Sequence, residues 1–186
     1  MALAELLDRW NSPEGHPYKG QLIDWAAYEA DPTNIGCMCA GGQVLHLIAG
    51  WEPERIHSTE QAKADKEVAK ALNISRAHAV LLRNVNDNVD GAPAIVLTDP
   101  GKVLGSEWSR LLDFWWHMDQ MTAEQWDAAG DAARDAAWVA ARVAAGEIQG
   151  AAIFKAANRP FYFLPMFGFA DPESISARPA DYGVPS

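Results

Sequence analysis

The chain is short of cysteine, of cations and of long apolar runs, and each shortage excludes something. Only two cysteines occur in 186 residues. They are Cys37 and Cys39, and neighbours at i and i+2 are badly placed for a disulfide in regular structure. No framework of spaced cysteines exists, so a reducing cytoplasm is the expected compartment. No apolar stretch approaches the roughly 20 residues of a membrane-spanning helix, and the N-terminus lacks a basic-then-apolar leader pattern, so no membrane partner is expected. Lys and Arg total 15 against 25 Asp and Glu, a formal net charge of -10. That balance repels phosphate backbones and makes nucleic acid an unlikely partner. It suits a partner with a basic surface, or a decoy for a nucleic-acid-binding protein. Lys63, Lys66 and Lys70 form the one short basic cluster. Asp65 and Glu67 interrupt it, so it reads as a solvated helix face.

What is present is apolar and helix-forming. Hydrophobic residues make up 49% of the chain, enough to argue against disorder. A chain of this length buries roughly 70% of its unfolded surface and folds without a metal or disulfide staple. Apolar spacings of three and four predict helices over 2–10, 21–30, 61–72, 75–85 and 106–121. Gly36–Ala49 is expected as a buried helix, with Gly41 and Gly42 allowing close approach and Gly50 as a C-terminal cap. Ser58-Thr59-Glu60-Gln61 and Thr122-Ala123-Glu124-Gln125 both fit the capping box, in which hydroxyl and amide side chains satisfy each other's backbone N–H groups. Asn86–Gly91 reads as a turn-rich break, and Ala94–Leu97, between Pro93 and Pro100, as the best strand candidate. The helix opening at Thr122 is expected to run to about Ala145, with Ala129–Ala144 forming a flat strip. Pro160–Phe169 reads as an extended aromatic arm. The expected architecture is mainly α: a compact multi-helix single domain over 1–170 with that arm packed back, little or no sheet, and a polar tail over 171–186.

Four groups of residues have chemistry to offer. Cys37, Cys39 and His46 are the metal-ligating types nearest one another. On a helix, however, the two thiols diverge by about 200°, and small core residues are the plainer reading, so no cofactor is expected. Cys39 is also a candidate nucleophile. Asp113 and His117, one helical turn apart with Gln120, have the spacing of an acid/base pair or of an ordinary polar face. Asn84, Asn86, Asp87, Asn88 and Asp90 offer oxygens, but in the wrong spacing for a calcium loop. The eight tryptophans are many for this length. Trp116, placed opposite Leu112, is the one expected at the surface or an interface, and with Phe161, Tyr162 and Phe167 it makes the candidate binding set.

Cys39-Ala40-Gly41-Gly42-Gln43-Val44-Leu45, the Lys/Ala helix after it and Asn86-Asp87 resemble small helical proteins of unknown function from actinobacteria and their phages. Residues 126–145 and Glu147-Ile148-Gln149-Gly150-Ala151 resemble actinobacteriophage reading frames as well. The likeness covers about half the chain and transfers no catalytic residue. It implies a phage accessory protein in an actinobacterial host, acting in the host cytoplasm. The expectation is a non-enzymatic protein that binds a host protein as inhibitor or regulator. The alternatives are a small cysteine- or Asp/His-dependent hydrolase or transferase, and a homo-oligomeric structural component built on the alanine strip.

Overall fold

The computed structural model describes residues 3–12, 15–89, 93–106, 108–127 and 176–184. Nine α-helices lie among the described residues: α1 (Leu3–Trp10), α2 (Trp25–Ala30), α3 (Ala40–Leu47), α4 (Pro53–His57), α5 (Gln61–Ala71), α6 (Arg76–Asn88), α7 (Ile95–Thr98), α8 (Gly101–Leu104) and α9 (Trp108–Gln120). A 3-10 turn covers Ile35–Cys37. There is no strand among these residues, only one antiparallel bridge between Ile23 and Met38. The mainly α expectation therefore holds. The chain divides into two units, Met1–Trp108 with Arg178–Ser186, and Ser109–Ala177.

In the first unit α3, α5 and α6 pack on one another around Val44, Leu45, Val68, Leu72 and Leu82. Two short helices pack on this trio, α4 against α3 and α7 against α6, while α2 meets the 3-10 turn and α8 meets α7. α1 adds Leu6 and Trp10, both fully buried. Helix ends follow local chemistry. Asp24 caps α2 by accepting from the Ala27 N–H at 3.1 Å, and Ser75 caps α6 by accepting from the His78 N–H at 3.1 Å. Asn73 closes α5 in the left-handed region at φ 48°, which a short polar side chain tolerates. Gly50, at φ 68°, turns the chain after α3 as expected.

Five local expectations are corrected. Gly36–Ala49 is not one helix: Met38 and Cys39 are extended, and α3 starts only at Ala40. Extension lets the Asp24 N–H donate to the Cys37 carbonyl (2.8 Å) and the Cys39 N–H to that of Leu22 (3.1 Å). The same pairing places Ile23 in the bridge to Met38, after a bend at 21–22, so α2 begins at Trp25. A Cβ on Gly42 would lie 2.2 Å from the Leu22 carbonyl oxygen, so only glycine permits this approach.

The capping box at Ser58 does not form. Its hydroxyl donates to the Glu54 carbonyl (2.9 Å) and that of Thr59 to the Arg55 carbonyl (2.6 Å), so both serve the end of α4. Glu60 becomes the N-cap of α5 without a side-chain bond. Hydroxyls are open to competing backbone partners, and α4 ends too close to leave these two free. Helix α6 runs through Asn86 to Asn88, because the Asn86 amide is used internally rather than in a turn. Ala94–Leu97 is helical rather than extended: no strand neighbours it, and Pro93 opens a turn that becomes α7.

The second unit contains α9 from Ser109 onward. Thr122 and Gln125 form the second capping box as expected, with Thr122 N–H to Gln125 Oε1 at 2.8 Å and Gln125 N–H to Thr122 Oγ1 at 3.3 Å. Residues 123–127 are helical. The alanine strip 129–144 and the aromatic arm 160–169 lie outside the described residues. Residues 178–184, expected within a polar tail, belong to the first unit: the Gly183 N–H donates to the Asn73 carbonyl (3.0 Å) and the Asn73 amide to that of Asp181 (3.1 Å).

Two substitutions separate the observed caps from the sequence patterns. Ser75→Ala is expected to lower stability by about 1 kcal/mol, and Ser58→Ala by less than about half of that, in urea unfolding followed by circular dichroism. Gln43 is fully buried between the Trp10 indole and the Met38 carbonyl. Gln43→Leu leaves the indole N–H without an acceptor and is expected to cost about 2 kcal/mol, with an unchanged urea m-value.

Candidate functional site

The side chains with chemistry to offer are mostly held by internal bonds. Cys39 is the N-cap of α3, and its Sγ accepts from the Gly42 N–H at 3.4 Å. Burial pushes its thiol up to about 11, although the Gly41 and Gly42 N–H groups act in the opposite sense. At neutral pH it is a protonated capping group and not a thiolate nucleophile. Cys37 is buried at the end of the 3-10 turn, and burial raises its thiol as well. His46 lies on α3, with Nδ1 at 2.8 Å from the Trp51 carbonyl oxygen. A carbonyl only accepts, so Nδ1 carries the proton and donates. Cys37, Cys39 and His46 thus serve three separate backbone arrangements. Among the described residues no group of three His, Cys, Asp or Glu side chains could hold a metal ion.

Asp113 and His117 are both half-buried on α9. The Nδ1 of His117 accepts from the Ser176 N–H at 3.4 Å. This backbone contact orients the ring by a neighbour that the i,i+4 spacing did not suggest. Trp116 is half-buried. Four residues after Leu112 it shares that residue's face rather than opposing it, which corrects its expected placement. Trp126 is the more exposed tryptophan, at 46%. Phe161, Tyr162 and Phe167 lie outside the described residues.

The Asn/Asp run on α6 is a set of latches. Asn86 Nδ2 donates to the Tyr18 carbonyl (2.8 Å) and to Asp87 Oδ1 (2.9 Å), while Asn86 Oδ1 accepts from the Ala40 N–H (3.4 Å). Asp87 Oδ1 also accepts from the Gly20 N–H at 3.0 Å. Asp65, buried on α5, takes a bidentate pair from Arg83 of α6 at 3.2 and 3.1 Å, and a third bond from Gln61 at 2.9 Å. Lys63, Lys66 and Lys70 stay exposed, with Lys70 paired to Glu67 at 3.1 Å.

Two groupings were missed by sequence reasoning. The first is an aromatic platform on α2 and α4. The ring of exposed His57 stacks on half-buried Trp25, centroids 4.6 Å apart and planes at 26°, and Tyr28 lies 5.2 Å from the same indole. Exposed Arg55 sits 3.4 Å over the ring of buried Trp51. The Trp25–His57 pairing has no local sequence signal, because the two residues are far apart in the chain. The second is buried His78. Its Nε2 lies 2.8 Å from the Val96 carbonyl and its Nδ1 2.8 Å from the Tyr182 hydroxyl.

Comparison with known proteins finds no matching family model, no matching curated protein and no matching solved structure.

The thiols test the reading of Cys39. Iodoacetamide at pH 7.5 is expected to leave Cys39 unmodified in the native protein and to alkylate it fully in urea, as read by peptide mass spectrometry. Rapid native alkylation would mean an accessible, activated thiol.

Proposed function

We propose that this is a non-enzymatic binding protein that acts by engaging another protein, a host protein if the chain is phage-encoded. The observation that carries this reading is the platform of Trp25, Tyr28 and His57, with Arg55 over Trp51 on the same helix as His57. Stacked, part-exposed aromatics beside a cation are the kind of surface on which binding energy concentrates. They offer large rigid area at low entropy cost and a polar edge for orientation. The candidate nucleophile and the buried polar side chains support the same reading from the other side. The Cys39 thiol is neutral and capped, and the polar groups of Asp65, Gln43 and Asn86 are taken up within the fold. An actinobacterial host as the source of the partner is part of the same proposal and rests on the sequence resemblance alone.

Arg55 and His57 are exposed, so Arg55→Glu with His57→Glu alters the platform at little cost to the fold. Tagged wild-type protein is expected to recover a discrete, near-stoichiometric partner from actinobacterial lysate. The double variant, with its circular dichroism and melting temperature retained, is expected to bind that partner at least tenfold more weakly. No stoichiometric partner, or one bound equally by both proteins, would sink the reading.

A further inference from the structure

The first unit holds a buried titratable group that no binding surface uses. His78 is 2% exposed on α6 and joins three stretches of chain. For the neutral ring its hydrogen bonding admits one assignment. The Val96 carbonyl of α7 only accepts, so Nε2 carries the proton and donates to it at 2.8 Å. Nδ1 therefore bears the lone pair, and the Tyr182 hydroxyl donates to it at 2.8 Å. The Tyr182 oxygen in turn accepts from the Ser75 N–H at 3.3 Å. The two rings lie nearly parallel, at 13° with centroids 5.7 Å apart. Of these bonds, the one from the Tyr182 hydroxyl to Nδ1 requires a neutral imidazole.

We propose that residues 178–184 form a proton-released latch: with His78 neutral, Tyr182 holds the segment on the α5–α6 corner, and protonation of His78 lets it go. An imidazolium would place a donor at Nδ1 against a hydroxyl that is itself donating there. The hydroxyl proton would lose its acceptor, and the charge would sit in a site closed to water.

The surrounding charges work in the same direction. From the C-terminal segment, the Arg178 guanidinium lies 5.2 Å over the Tyr182 ring and disfavours a second positive charge at His78. From α7, the Val96 carbonyl is the group that touches the ring, and Asp99 beyond it is paired with Lys102 at 3.2 Å. On α6 itself, Arg76 is exposed and Arg83 is held by Asp65. Burial holds the imidazole below its ordinary 6.5 while the segment is docked; the bond to the Val96 carbonyl opposes this, and Arg178 adds to it. A folded-state value below the free one means that docking is favoured above pH 6.5. It weakens as pH falls from there through the depressed value. Other ties of the segment include the backbone bond from Gly183 to Asn73, the bond from the Asn73 side chain to Asp181, and the Arg178 guanidinium 5.6 Å over the Trp108 ring.

Linkage makes the test reciprocal. If a neutral His78 favours docking, docking must depress the titration of His78 by the same factor. In the full chain, hydrogen exchange expressed as protection factors is expected to show Gly183 losing protection at least tenfold between pH 7.5 and 5. The amides of α3 and α5 should stay protected over the same range. Tyr182→Phe keeps the ring and removes the donor. By NMR its His78 is expected to titrate higher than in the wild type, each pH unit corresponding to a tenfold change in the docking equilibrium. Protection at Gly183 that persists through the titration of His78 would overturn the proposal. So would simultaneous loss in all helices, or a His78 titration unchanged by Tyr182→Phe.

Discussion

A single side-chain amide in α3 sets the register of the first unit. Gln43 is fully buried, and both ends of its amide are engaged, the oxygen by the Trp10 indole at 3.0 Å and the nitrogen by the Met38 carbonyl at 3.0 Å. A buried amide without partners costs several kcal/mol, so any arrangement that shifts α1 or the 38–39 segment past α3 is penalised. Further positions follow from this one. Met38 held by Gln43 also accepts from the Tyr18 N–H and bridges to Ile23. Tyr18 in turn takes the Asn86 amide of α6. Hydrophobic contact supplies most of the driving force for such a core but little direction. The two buried amides supply direction where the packed residues are interchangeable aliphatics.

The same division explains what the sequence made legible. Helices with a strong apolar period, such as those at 61–72 and 106–121, were found within two residues of their observed ends, because burial of one face governs them. The Thr122 box formed and the Ser58 box did not, although their patterns are equivalent. The difference lies in α4, whose terminal carbonyls reach the Ser58 and Thr59 hydroxyls first. Asn86 and Asp87 read locally as turn formers, yet they extend a helix because distant backbone groups at Tyr18 and Gly20 need their side chains. β-branched residues at 95–96 suggested a strand that had no neighbour to pair with.

The candidate site was less legible than the fold. Cysteine, histidine and carboxylate residues could be located in the sequence, but not their occupation by internal bonds. Cys39 illustrates this: a potential nucleophile by type, it is a helix cap by position, and its buried setting keeps it protonated. The aromatic platform and the His78–Tyr182 pair join residues more than thirty and more than a hundred positions apart. No window along the chain contains both halves of either.

That separation has a kinetic side. His78 and Tyr182 are 104 residues apart, and unit Ser109–Ala177 is inserted between the two stretches that make up the first unit. Loop-closure entropy must be overcome before Tyr182 meets its histidine, whereas α3, α5 and α6 are near neighbours in the chain. The helical trio can therefore assemble before 178–184 docks. The closure cost grows only by about 0.6 kcal/mol for each doubling of loop length, so the length of the insertion is nearly free to vary. A fold of this topology tolerates growth or shrinkage of its inserted unit while keeping the first one closed.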